Sequence, residues 1–87
     1  MKIIKRSGSE DIFDAAKIVA AIRKANDSVL DYEKLTADQI EEIASNVETA
    51  CENMKRSPSV EEIQDMVEHY IMAHGAFEVA KHYITYR

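Results

Sequence analysis

Ile40, Ile43, Ala44, Val47, Cys51 and Met54 fall three or four residues apart, and such a run can gather its apolar side chains on one side only as an amphipathic helix. Thr36-Ala37-Asp38-Gln39, just ahead of it, has the Thr-x-x-Gln spacing of a capping box. In that motif the hydroxyl and the carboxamide each take a backbone N–H that a helix start leaves without a partner. A helix over about 36–54 is the prediction. Lys55-Arg56-Ser57-Pro58 interrupts it, and Ser59-Val60-Glu61-Glu62 forms a second capping box before Ile63, Met66, Val67, Tyr70 and Ile71. That places the next helix over about 59–74, ended by Gly75.

The same reasoning extends to both ends. Lys2 to Arg6 and Asp11 to Phe13 are short β-favouring runs around Ser7-Gly8-Ser9, a turn sequence, so a hairpin is predicted over about 2–13. Asp14 can then N-cap a helix over about 14–26 with Ile18, Val19, Ile22 and Ala25 on one face. Residues 26–34 mix turn formers with Val29, Leu30 and Tyr32 and are read as a partly anchored loop. A short last helix over about 76–87 would bury Phe77, Ala80, Tyr83 and Ile84. No stripe is wide enough to be buried on both sides, so the helices must share one core. The expected fold is mainly α: an α+β chain, residues 1–87 forming a single domain in which an N-terminal hairpin caps a bundle of about four helices.

Charge then bounds the function. The chain carries a formal charge of -5, yet residues 1–24 hold six Lys or Arg against three Asp or Glu, whereas residues 25–80 hold three against thirteen. Lys81 and Arg87 make the far end basic as well. Basic ends on an acidic body point to a compact anion rather than an extended nucleic-acid surface, which calls for a basic balance over a whole domain. No apolar run approaches the roughly 18 residues that span a bilayer, so no membrane partner is expected. Met1 to Glu10 lacks the apolar run of a secretory signal, and lone Cys51 has no internal disulfide partner. A cytoplasmic location is the expectation.

Lys5, Arg6 and Lys17 are the candidate anion ligands, since they converge if the hairpin folds over the N-terminus of the first helix, where free N–H groups and the helix dipole also favour negative charge. The structural alternative is a solvated hairpin edge, with Asp14 acting as an N-cap alone. His69, His74, His82 and Cys51 lack metal-ligand spacing, and no side-chain metal site is expected. Cys51 reads as a core residue, Glu41-Glu42 and Glu61-Glu62 as solvated faces, and Met54, Met66 and Met72 as gap-filling side chains. Neither a Walker phosphate loop nor a dinucleotide glycine fingerprint is present.

Lys5-Arg6-Ser7-Gly8, the Phe13-Asp14 step followed by Lys17-Ile18, the helix start Ser59-Val60-Glu61-Glu62-Ile63-Gln64-Asp65 and the closing Glu78 to Arg87 together resemble the ATP-cone domain over nearly the whole chain. A start just ahead of the hairpin is similar to the N-terminus of a ribonucleotide reductase large subunit, with the anaerobic ribonucleoside-triphosphate reductase closest in character. A reductase-gene repressor that carries a zinc ribbon before its cone is a second home, and no Cys pairs precede this cone. The resemblance implies an effector, ATP or dATP with Mg²⁺, that controls a reductase through nucleotide-dependent assembly. Reductase subunits or a catalytic domain, and further copies of the chain, are the partners it implies. No catalysis is expected of 87 residues with one Cys, so the chain would be a fragment or a detached module.

Carried over by position, the resemblance makes Ile3 and Ile18 the two sides of a base sandwich and Asp14 the acceptor for the exocyclic amine of adenine. Glu10 and Asp11 would touch the base from the hairpin rim. Lys5, Arg6 and Lys17 would contact the phosphates, joined from the far end by Lys81 and Arg87. Val60 and Gln64 would line the pocket, and both differ in polarity from their counterparts in some family members. Ser7 stands where the family usually has Asp or Asn. The reading from another functional class is a helical protein- or DNA-interaction module, which the acid-rich middle disfavours.

Overall fold

Two strands and four helices make up the computed structural model, which describes residues 1–87. Strand β1 (Lys2–Ile4) pairs antiparallel with β2 (Glu10–Ile12), placing Ile3 opposite Asp11. Gly8 takes φ 89°, a left-handed conformation that a side chain would strain, and its N–H closes the turn on the Lys5 carbonyl at 2.8 Å. Helix α1 (Ala15–Asn26) follows at once, with the Asp14 carboxylate accepting the Ala16 N–H at 3.0 Å.

Both capping boxes form. Thr36 Oγ1 accepts the Gln39 N–H at 3.1 Å while Gln39 Oε1 accepts the Thr36 N–H at 2.8 Å, which starts α2 (Ala37–Glu52). Ser59 and Glu62 make the same reciprocal pair at 3.1 and 3.0 Å at the head of α3 (Val60–Ala73). Caps of this kind each stabilise by about 0.5–2 kcal/mol. At the far end of α3, Gly75 at φ 75° donates to Met72 O and Ala76 donates to Ile71 O, the paired bonds of a Schellman motif that turn the chain into α4 (Phe77–Tyr86).

α1 packs against α2 and α4, and α3 closes the ring against the same two helices. Sixteen buried apolar residues form one core, with Ile22, Ile43, Val47, Val67, Ile71 and Val79 at its centre. Each fully buried side chain of this size contributes about 1.5–3 kcal/mol. The hairpin is not free: the Ile4 N–H donates to the Pro58 carbonyl at 2.9 Å, and Ile4 forms a parallel bridge with Ser59. It is therefore clamped to the turn between α2 and α3.

Two expectations are corrected. The fourth helix buries Val79, Ala80 and Tyr83, leaving Phe77 60% and Ile84 46% exposed. Phe77 and Ile84, two turns apart, lie together on one flank of the buried stripe, because Ala76, Val79, Ala80 and Tyr83 occupy the three- and four-residue steps that face α1 and α3. α2 stops at Glu52, two residues before Met54, which is half-buried beyond the helix end.

The loop after α1 is anchored by one buried polar side chain. Asn26 donates through Nδ2 to the Leu35 carbonyl at 3.1 Å and accepts the Leu35 N–H on Oδ1 at 2.8 Å. It holds the loop from both ends, with the 3₁₀ turn Asp31–Glu33 between. Asn26→Ala leaves both backbone groups of Leu35 without these partners and is expected to cost about 2–4 kcal/mol, measured by urea unfolding.

Candidate functional site

A cleft of about 250 Å³ opens between the inner face of the hairpin, the first turns of α1 and the start of α3. Strand alternation puts Ile3, Lys5 and Asp11 on that inner face, while Lys2 and Glu10 point to the other side and pair with each other at 3.7 Å. Helical spacing then brings Asp14, Lys17, Ile18 and Ala21 in from α1, and Val60, Ile63 and Gln64 in from α3. Tyr83 of α4 closes the back.

Ile3 and Ile18 therefore face the same space, together with Phe13 and Val60, so the walls are apolar and the mouth is charged. At the mouth, Lys5 of the hairpin and Lys17 of α1 converge on one oxygen, Asp11 Oδ2, at 3.8 and 3.9 Å. The other Asp11 oxygen accepts the Ile12 N–H at 2.8 Å. That backbone bond, aided by the two lysines, holds the Asp11 carboxyl below its ordinary value of 3.8. Asp14 spends Oδ1 on its helix cap and presents its second oxygen without a hydrogen bond. α1 has no acidic residue in its first turn and carries Lys17 there, so the positive end of its dipole adds to the lysines.

Eight of the twelve expected site residues line this cleft: Ile3, Lys5, Asp11, Asp14, Lys17, Ile18, Val60 and Gln64. Four do not. Arg6 turns out of the hairpin and bonds Glu61 through Nε at 2.9 Å, and Glu10 lies on the outer face. Lys81 pairs with Glu78, one turn back on α4, at 3.7 Å. Arg87 is held by Asp65 at 3.0 Å and Glu68 at 2.9 Å, with only 22% of its side chain exposed. The basic far end thus pairs with carboxylates of α3 and α4 and does not line the cleft.

Ile12, Phe13, Ala21, Ile63 and Tyr83 complete the lining, and none was among the expected site residues. Ala21 and Ile63 each lie three residues from an expected partner, Ile18 and Val60, so helical spacing carries their signal. Tyr83 could be read only as core. Burial pushes its hydroxyl up to about 12, so it stays a neutral donor and acceptor.

Cys51 is buried, its Sγ 3.9 Å from Met66 Sδ, and burial raises its thiol pKa, so it stays protonated at neutral pH and does not act as a thiolate. No group of three or more His, Cys, Asp or Glu side chains is placed to hold a metal ion. No helix is long and apolar enough to cross a membrane. A second cleft, between the 3₁₀ turn and the α3–α4 corner, presents Glu33 and Glu78 against Lys34 and gathers none of the expected site residues.

The α3 wall is fixed by its own first turn. Arg56 forms a two-pronged pair with Glu62 at 2.7 and 2.6 Å, and Glu62 also takes the Ser59 N–H. The Arg56 guanidinium, and then the Ser59 N–H, pull the Glu62 carboxyl from 4.5 down to about 2.

The chain belongs to the ATP-cone family: the ATP cone domain matches residues 1–87. It is similar to the ribonucleoside-diphosphate reductase subunit alpha of Chlamydia trachomatis serovar D, 33% identical over 95 aligned residues that take in 100% of this chain and 9% of that protein. It is also similar to the vitamin B12-dependent ribonucleoside-diphosphate reductase of Thermoplasma acidophilum, 37% identical over 91 aligned residues, 99% of this chain and 11% of that one. The chain thus spans about a tenth of the length of these relatives. Both are diphosphate reductases, where the sequence resemblance had pointed to the anaerobic triphosphate enzyme.

The low Glu62 value has a consequence for acid stability. A folded-state value below the unfolded one stabilises above about pH 4.5, and that contribution drains away as pH falls toward 2. Glu62→Gln keeps an oxygen for the Ser59 N–H but removes the charge, so its unfolding midpoint is expected to fall less steeply between pH 4.5 and 2 than that of the parent, as read by circular dichroism melts.

Proposed function

We propose that residues 1–87 act as one adenine-nucleotide-binding regulatory domain that takes ATP or dATP in the hairpin cleft and controls a ribonucleotide reductase through assembly. The observation that carries this reading is the convergence of Lys5 and Lys17 at the mouth of an apolar cleft whose far wall presents Asp14. The base enters between Ile3 and Ile18, where flat apolar walls favour a stacked ring. Its exocyclic amine donates to the uncommitted oxygen of Asp14, and guanine, which carries an acceptor at that position, leaves the carboxylate unpaired.

The triphosphate lies across Lys5, Lys17 and the start of α1, where ammonium groups and the helix dipole offset its charge. Arg6, one residue beyond Lys5, reaches the outer phosphates by exchanging Glu61 for them. Arg87 is left out of the phosphate site because two carboxylates of α3 hold its largely covered side chain, and Lys81 does not line the cleft. No group of three or more His, Cys, Asp or Glu side chains is placed to hold Mg²⁺, so the nucleotide's own phosphate oxygens would carry it and the ion would offset part of their charge.

Regulation is then a population shift. ATP and dATP bias a reductase assembly only to the extent that each binds its active and inactive forms differently. Chemistry stays with the catalytic part of a reductase, and the reductase partner is one that acts on ribonucleoside diphosphates, as both named relatives do.

Nucleotide at ten times its Kd stabilises by about 1.4 kcal/mol, which raises the melting temperature of a chain this size by roughly 6–11 °C. That rise is expected for ATP and dATP with Mg²⁺ and not for GTP, and its absence for every adenine triphosphate overturns the reading. Lys5→Ala with Lys17→Ala is expected to weaken ATP about a hundredfold by calorimetry. The unliganded protein should lose less than about 1 kcal/mol, since exposed pairs contribute little.

A further inference from the structure

One ion pair crosses from the hairpin to α3. Arg6, in the turn between β1 and β2, donates from Nε to Glu61 Oε1 at 2.9 Å, and no other charged pair joins these two elements. Each partner stands one residue beyond a wall of the cleft, since Lys5, just before Arg6, and Val60, just before Glu61, both line it. The pair therefore straps the hairpin wall to the α3 wall from outside the lining, on the side where Lys5 and Lys17 meet.

The strap is not what holds the hairpin in place. The backbone fastens it there already, through the Ile4 N–H on the Pro58 carbonyl and the bridge between Ile4 and Ser59. Both side chains are open to water, Arg6 78% and Glu61 47% exposed, and pairs of that kind add little to stability. Glu61 lies in the first turn of α3, where the helix dipole favours a carboxylate with or without a cation beside it. Opening the strap thus leaves Glu61 supported and sets Arg6 free.

Arg6 is also the next cation along the hairpin from Lys5, so an anion long enough to pass Lys5 and Lys17 meets it next. A guanidinium takes phosphate and carboxylate with the same fork of donors, and its Nε–H serves one acceptor at a time. Glu61 and the outer phosphates compete for one group.

We propose that the Arg6–Glu61 pair is an autoinhibitory strap: Glu61 holds Arg6 away from the empty cleft, a triphosphate has to break the pair to bind, and Glu61 so sets the nucleotide concentration at which the domain fills. The proposal rests on the adenine-nucleotide reading above and adds to it the regulation of that same site.

The test is isothermal calorimetry of ATP with Mg²⁺ against the parent, Glu61→Gln, Arg6→Ala and the double variant. Glu61→Gln is expected to bind ATP about two- to fivefold more tightly than the parent, the whole of an exposed ion pair. Arg6→Ala is expected to weaken ATP about tenfold. In the Arg6→Ala background the Glu61→Gln gain should vanish, because the competition has lost its object. A gain that persists there makes Glu61 a distant repelling charge and overturns the strap, and so does unchanged or weaker ATP binding by Glu61→Gln. The Arg6 Nε–H resonance, followed by nuclear magnetic resonance, gives a second readout. It should differ between unliganded parent and unliganded Glu61→Gln and coincide when both are saturated with ATP. A parent resonance that ATP leaves in place overturns the proposal. Absence of ATP binding by the parent is a different outcome, and it overturns the adenine-nucleotide reading itself.

Discussion

A single backbone hydrogen bond, from Ile4 N–H to the Pro58 carbonyl, makes the site possible. Two strands of three residues do not hold themselves together in water, and this hairpin contributes little to the common core beyond Ile3 and Phe13. Clamped at Ile4 to the turn ahead of α3 and followed directly by the Asp14 cap of α1, it is fastened at both sides. The space between those fastenings is the cleft. If the Ile4 link were absent, Lys5 and Asp11 would have no fixed position relative to Val60 and Gln64, although each helix would still be formed.

Electrostatics follows from that geometry. An acidic chain gathers its cations by giving most of them a carboxylate: Lys5 and Lys17 share Asp11, Arg6 has Glu61, and Arg87 has Asp65 and Glu68. Exposed pairs of this sort are weak, so a polyphosphate can take Lys5, Lys17 and Arg6 from their partners at small cost. Arg87, mostly covered and doubly held, is the exception and behaves as a tie between α4 and α3. Its neighbour Tyr83 carries that tie into the back of the cleft, which links the packing of the last helix to the site.

Much of this was legible in the residues because the signals are local. Thr36-x-x-Gln39, Ser59-x-x-Glu62, Gly8 and Gly75 act within four residues of themselves, and the elements they bound lie within two residues of the expected ends. Core positions on α1, α2 and α3 follow the same three- and four-residue steps. The residues say least where the deciding partner lies far along the chain. The family resemblance put Lys81 and Arg87 at the phosphates. Whether Arg87 meets a phosphate or Asp65 depends on how α4 crosses α3, which no local pattern records. The exposure of Phe77 and Ile84 has the same origin, since an apolar residue beside a stripe is buried only if a neighbouring helix covers it.

The sequence by itself determined the elements, the shared core and the identity of the groups available for an anion, because caps, turn glycines and helical periodicity are short-range physics. Membership of the ATP-cone family was also readable there, from motifs spread over the whole chain. Tertiary structure decided which of those groups meet. It joined Lys5 and Lys17 through Asp11, turned Glu10 outward by strand alternation, gave Arg6 of the hairpin turn to Glu61, and took Arg87 away to α3. It also left Gln64 Oε1 shielded from solvent without a hydrogen-bond partner, which no local pattern in the sequence records.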